Sequence, residues 1–156
     1  IITALAGGVG GAKLVYGLAQ VLSPEKLSIV VNTGDDFTYF GLKISPDVDS
    51  IVYALAGLSD PVSGFGRAED SFSVFDTLTE LGESTWFRIG DRDLALNLKR
   101  TRLLSSGFSL GEVTKELCKE LGVENTVIPM ICSFLPSFPS LNESRKTHFC
   151  VEFLLD

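Results

Sequence analysis

The sequence predicts an α/β fold, a parallel sheet with covering helices. Three observations predict it. Residues 1–6 are a short apolar run that stops at Gly7-Gly8-Val9-Gly10-Gly11. Residues 12–22 then carry Leu14, Val15, Leu18, Val21 and Leu22 at helical spacing. Residues 27–31 form a second apolar run. Strand, glycine turn, helix and strand in that order make a βαβ unit, whose strands lie parallel because the helix crosses over between them.

The first helix ends at Ser23-Pro24, since proline cannot continue it. Asn32-Thr33-Gly34-Asp35-Asp36 follows the second strand, at the carboxyl end of the sheet where open α/β folds form their sites. A short aromatic stretch with Phe37, Tyr39 and Phe40 leads to Ser45-Pro46-Asp47-Val48-Asp49. Residues 48–58 read as a helix with Ile51, Val52, Leu55 and Leu58 on one side, and Asp47 is placed to cap it. A loop rich in Gly, Pro and acids spans 60–70, and a helix over 71–81 ends at Gly82. A helix near 94–105 closes at Gly107. Ser109 and Glu112 form a capping box for a helix over 110–121, and residues 126–130 suit one more strand. From Ile131 the texture changes to a Pro- and Ser-rich stretch with no helical or strand period. The chain therefore divides into 1–130 and a divergent tail, 131–156.

The chain has 156 residues and a formal charge of −7. That balance argues against nucleic acid or an anionic membrane as partner, since both need a basic face. No apolar run approaches the length of a membrane span, and the N-terminus lacks the basic region of a signal peptide. Between Asp35 and Asp93 there are twelve acids and four bases, so all of the excess sits in the middle of the chain. Three unpaired cysteines, Cys118, Cys132 and Cys150, and one histidine, His148, fit reduced thiols in the cytoplasm and give no zinc motif. Cys118, Cys132 and Cys150 suit core positions, as does the pair Trp86-Phe87. Glu112, Glu116 and Glu120 alternate with Lys115 and Lys119 as a solvated face.

Three clusters carry chemistry. Gly7, Gly8, Gly10, Gly11 and Lys13 sit between a strand and a helix, where backbone N–H groups can approach a phosphate and Lys13 adds charge. The spacing is neither GxGxxG nor a P-loop. A tight turn with close helix packing is the plainer reading of the same glycines. Asp35, Asp36, Asp47 and Asp49 follow the second strand, and carboxylates there can hold Mg²⁺ against phosphate oxygens or serve as turn and cap residues. Arg88-Ile89-Gly90-Asp91-Arg92-Asp93 mixes both charges before a helix, as an oxyanion contact or a surface ion-pair cluster.

LAGGVGGAK, VNTGDDF, ISPDVDSIVYALAG, WFRIGDRDLA, KRTRLLSSGFSL and VIPM occur in that order. This series resembles the 2-phospho-L-lactate transferase family of coenzyme F-420 biosynthesis, with its phosphoenolpyruvate-using members, over about residues 2–130. The resemblance implies a Rossmann-like α/β core and a Mg²⁺-dependent enzyme. It implies transfer of a phospholactyl or enolpyruvyl-phosphate group from a guanosine-diphosphate-activated donor to the deazaflavin alcohol 7,8-didemethyl-8-hydroxy-5-deazariboflavin, with GMP released. It implies a phosphate site at Gly7 to Lys13 and deazaflavin contacts at Asp49 and Arg88. Asp49 and Asp36 are the expected catalytic residues, and Asp35, Asp36 and Asp47 the expected metal ligands. The family also implies a homodimer. Its members are about twice this long, so the chain is expected to be an N-terminal half, with ICSFLPSFPSLN where the family has an acidic phosphate-contacting segment. A non-catalytic nucleotide-binding regulator of the same superfamily, or an inactive truncated chain, is the competing expectation.

Overall fold

The computed structural model describes residues 1–130. The tail expected over 131–156, with Cys132, His148 and Cys150, lies outside the described residues. Three parallel strands make the main sheet: β1 (Ile2–Ala6), β2 (Leu27–Val31) and β5 (Thr126–Pro129), in the order β1-β2-β5. Ala4 pairs with Ile29, and Ile29 with Val127, so these side chains share one face by the alternation of strands. With Leu27 and Val31 they meet Ala12 and Val15 of α1 (Gly8–Val21), Val48, Ile51 and Val52 of α2 (Pro46–Leu55) and Cys118 of α5 (Leu110–Glu120) in one core. Leu5, on the other face, stays about half exposed. Cys118 is buried as expected, and burial pushes its thiol up to about 11.

Helix α1 begins at Gly8, four residues earlier than the apolar spacing suggested. The glycines are thus its first turn and not a loop ahead of it. Gly11 shows why: a Cβ there would lie 3.1 Å from the Ala6 Cα and Cβ, so only glycine lets α1 close on the end of β1. Helix α2 likewise begins at Pro46, which suits the first helical position because no N–H is needed there. Asp47 is therefore inside the first turn and does not cap the helix.

The aromatic stretch after β2 is a hairpin, β3 (Phe37–Tyr39) and β4 (Leu42–Ile44), turned by Phe40 and Gly41, both at positive φ. A second core forms beside it from Ile44, Phe75 of α3 (Ser73–Glu80) and Ile89. Phe87 packs against that core, whereas Trp86, expected inside, is 70% exposed and lies against the rings of Phe37 and Tyr39.

Helix α4 (Asp91–Ser105) and α3 exchange caps. Neither has a capping side chain at its own N-cap position, Gly90 and Phe72. Asp70 instead accepts from the Arg92 and Asp93 amides at 2.9 and 3.1 Å, and Asp91 accepts from the Ser73 and Val74 amides at 3.0 and 3.1 Å. Gly90 makes room for this, since a Cβ there would land on the Asp70 carboxylate, 2.8 Å from its Cβ. Ser109 and Glu112 form the expected capping box of α5. The expected Glu–Lys face of α5 is only partly so: Glu112 serves the cap, and Glu120 pairs with Lys99 of α4.

Candidate functional site

The carboxyl ends of β1 and β2 open onto α1 and α2. At the first turn of α1 the cap is Gly7, and no acidic side chain is present. The amides there keep the partial positive charge of a helix start. Gly8 needs its glycine for a φ of 59°, and Gly10 is exposed, with nothing within 4 Å of where its Cβ would be. Lys13 is exposed one turn further on. Gly7 is held by the opposite side of the site. A Cβ on it would lie 2.7 Å from Asp47 Oδ2 and 3.0 Å from the Asn32 Cβ.

Asp47 accepts from the Asn32 amide group at 2.8 Å, and the Asn32 carbonyl oxygen accepts from the Gly34 N–H at 3.0 Å. Asp36 accepts from the Ser45 hydroxyl at 2.8 Å through Oδ2. Its Oδ1 is buried and has no hydrogen-bond partner among the described residues. Burial pushes Asp36 up to about 6, and the negative charges of Asp49 and Asp47 add to this against the pull of Ser45 and Arg100. Asp35 is exposed.

Two residues along α2 from Asp47, Asp49 faces a different surface. Both its oxygens take the guanidinium fork of Arg100, Nη2 on Oδ1 and Nη1 on Oδ2 at 3.1 Å. The Arg100 side chain is wholly buried, and its Nη1 also donates to Asn97 Oδ1. Burial raises Asp49 above the usual carboxylate range, and the Arg100 charge works against that rise. Burial in turn opposes the Arg100 charge, but Asp49, Asp93 and Asp36 together outweigh it and hold the guanidinium pKa above its ordinary value.

Asp49, Asp93 and Tyr53 line a narrow cleft walled by Ile44, Phe65 and Phe87. The Tyr53 hydroxyl donates to Asp93 Oδ1 at 2.8 Å. Burial and then the charge of Asp93 push the Tyr53 hydroxyl above its ordinary range. Burial, followed by the charge of Asp49, raises Asp93 to about 6. The loop that supplies Phe65 also touches α1, because a Cβ on Gly64 would lie 2.7 Å from a Val9 methyl. Arg88 stands apart. It pairs with Asp76 at 2.6 Å and covers the Phe72 ring, and no hydrogen bond or ion pair among the described residues links it with Asp49.

The glycine turn, the carboxylates after β2 and the GDRD helix start thus converge on one end of the sheet. The family model described as 2-phospho-L-lactate transferase CofD matches residues 2–135, most of the chain. The chain belongs to the 2-phospho-L-lactate transferase family. A phosphoenolpyruvate transferase of Kitasatospora aureofaciens is 40% identical over 131 residues, 83% of this chain and 41% of that protein. One from Streptomyces coelicolor is 40% identical over 152 residues, 97% of this chain and 44% of that protein. The 2-phospho-L-lactate transferase of Methanospirillum hungatei is 41% identical over 130 residues, 83% of this chain and 44% of that protein. The chain spans less than half the length of these relatives.

The residues of this family member can be tested against Mg²⁺. Among the described residues no three acids, histidines or cysteines converge into an all-protein metal site. Mg²⁺ on a nucleotide asks for less, one or two carboxylates with phosphate oxygens and water completing the shell. Asp36, with its unpartnered oxygen, and Asp47, whose charge it feels, fit that requirement. Among the described residues no helix is long and apolar enough to cross a membrane.

Arg100, Asn97 and Tyr53 were not singled out from the sequence. A signal existed. Asp93, Asn97 and Arg100 fall at i, i+4 and i+7 of one helix, and Asp49 and Tyr53 at i and i+4 of another. A stripe with Asp and Arg on one helix and a stripe with Asp and Tyr on another can pair across and bury themselves.

Proposed function

We propose that this chain forms the donor-phosphate and acceptor sites of a transferase acting in coenzyme F-420 biosynthesis. It moves a phospholactyl or enolpyruvyl-phosphate group from a guanosine-diphosphate-activated donor to 7,8-didemethyl-8-hydroxy-5-deazariboflavin and releases GMP. The supporting observation is the first turn of α2. Asp47 meets the glycine turn at Gly7, and Asp49, two residues on, lines the aromatic-walled cleft. One turn of helix therefore spans a phosphate-type surface and a ring-type surface, which is what phosphoryl transfer between a nucleotide and a flat alcohol needs.

In this reading the donor's phosphates lie on the amides of Gly7, Gly8, Gly10 and Gly11, with Lys13 adding charge. The deazaflavin ring lies against Phe65 and Phe87 at the mouth of the cleft, where the two rings meet edge to face, with Asp49 orienting it and Arg88 contacting it from the adjoining surface. Asp36, with its sequence neighbour Asp35 and with Asp47 of α2, would hold Mg²⁺, whose chemistry there is to neutralise phosphate charge. Attack by a ribityl hydroxyl on phosphorus gives the phosphodiester. The working enzyme is a homodimer in the cytoplasm.

The test is titration of the folded chain with the deazaflavin, followed by its intrinsic fluorescence, and with GDP and Mg²⁺. Both ligands are expected to bind, with Asp49→Ala and Arg88→Ala weakening the deazaflavin alone. Addition of the activated acid is expected to yield the phosphodiester. A folded chain that binds GDP but ignores the deazaflavin would instead be a nucleotide-binding regulator.

A further inference from the structure

The reaction proposed above leaves one question open, namely where the proton of the attacking hydroxyl goes. Asp49 is the expected acceptor by position, but both of its oxygens are engaged by the Arg100 fork. That pair fixes the orientation of both Asp49 oxygens toward Arg100, and the guanidinium charge opposes uptake of a proton there even though burial raises Asp49 overall.

Asp93 lines the same cleft and is differently held. Its Oδ1 accepts from the Tyr53 hydroxyl at 2.8 Å and, more weakly, from the Asn97 amide group at 3.4 Å. Among the described residues no hydrogen bond occupies Oδ2. The backbone N–H of Asp93 is fixed by Asp70, and its carbonyl accepts from Asn97 at 2.9 Å, so the residue is anchored at both ends while one carboxylate oxygen remains available.

We infer that Asp93 is the proton acceptor for the acceptor's attacking hydroxyl, with Tyr53 the positioning residue that turns Oδ2 toward it. This rests on the acceptor cleft proposed above. The O–H bond breaks, and its proton goes to Asp93 Oδ2. The freed oxygen pair forms the new O–P bond. The P–O bond to GMP breaks, and GMP leaves with that electron pair. Asp93 returns its proton to solvent, so no further reactant is needed.

The surroundings suit a base that works near neutrality. The titratable and charged groups facing Asp93 are Tyr53 and Asp49 from α2, Arg100 on its own helix and Asp70 from the loop before α3. Burial and the two aspartates make it hold a proton more readily than a free carboxylate, and Arg100 keeps that rise in check. Below its pKa of about 6 it carries its own proton and cannot accept another; above it, it can.

Affinity for the deazaflavin alcohol is compared with that for an analogue lacking the attacking hydroxyl, both read by fluorescence. At pH 7.5 the wild-type chain is expected to prefer the alcohol by about tenfold, the worth of one charge-assisted hydrogen bond. The preference should shrink severalfold at pH 5. It should vanish in Asp93→Ala, collapse in Asp93→Asn, and weaken in Tyr53→Phe, each preference being taken against the same variant's affinity for the analogue, which cancels any change in the cleft itself. Because the analogue reports the cleft itself, a merely structural change would weaken both ligands equally. An undiminished preference in folded Asp93→Asn and Asp93→Ala would overturn the assignment. A folded wild-type chain that binds neither ligand would overturn the acceptor cleft itself, which is a separate failure.

Discussion

Replacing Arg100 by Met gives the sharpest test of how this site is held together. Met is apolar and unbranched and follows the stem of Arg, so the change removes the charge with a smaller void than truncation to Ala. The guanidinium is wholly buried and supplies both hydrogen bonds of Asp49 as well as one to Asn97. Its loss leaves a buried carboxylate without a partner, which costs about 3–5 kcal/mol. That is a large share of the roughly 5–15 kcal/mol by which a domain is stable. Asp49→Asn in the same chain removes the stranded charge and is expected to restore about 2 kcal/mol. The sign of the pH effect follows from burial. With Arg100 gone, nothing opposes the rise in the Asp49 pKa, so the folded state binds a proton that the unfolded state releases. The loss of stability in Arg100→Met relative to wild type should therefore be greater at pH 7.5 than at pH 5. Urea denaturation at the two pH values measures it. A loss below about 1 kcal/mol, or a larger loss at pH 5, would refute the view that Arg100 exists to hold a charged Asp49.

Three other outcomes are expected. Gly7→Ala should destabilise by about 1–2 kcal/mol through its clash with Asp47 and weaken GDP at least tenfold by calorimetry, because φ at Gly7 is extended and only space is at issue. Gly90→Ala should destabilise by about 2 kcal/mol, since it displaces the Asp70 cap, and Asp70→Gly in the same chain should cost less than the sum of the two single changes, as read by thermal melting. Asp36 has a raised pKa in the fold, so its contribution to stability falls as pH rises from about 4 to about 6 and is flat above. Asp36→Asn should accordingly stabilise the chain at pH 7 by about 1–2 kcal/mol, after allowance for solvent screening, and flatten the melting temperature across that range.

The three strands of the main sheet, the five helices and the α5 capping box are legible because each rests on local pattern. The starts of α1, α2 and α4 were read two to four residues late. Helix onset there is decided by particular contacts, such as the close approach of Gly11 to Ala6 and the Asp70 carboxylate on the Asp93 amide 23 residues away, and not by apolar spacing. The β3–β4 hairpin was illegible for a related reason. Its strands have three residues each, and its turn places Phe40 at a φ of 48°, a conformation that sequence rules reserve for glycine and asparagine. At the site, the motifs marked the right region but not the pairings. Asp47 looked like a cap and is a wall of the glycine turn. Arg100 carries no motif of its own and is, among the described residues, the largest wholly buried side chain.

The crossed caps of α3 and α4 bear on how this region moves. A helix with its own cap can fray by itself, whereas here each helix start is closed by a side chain rooted beside the other. Unwinding the first turn of α4 withdraws Asp91 from α3, and unwinding α3 frees the loop that carries Asp70. The two openings are therefore one event with one free energy. Hydrogen exchange should show it directly, with the amides of Ser73, Val74, Arg92 and Asp93 sharing a single protection factor that falls for all four when either aspartate is replaced.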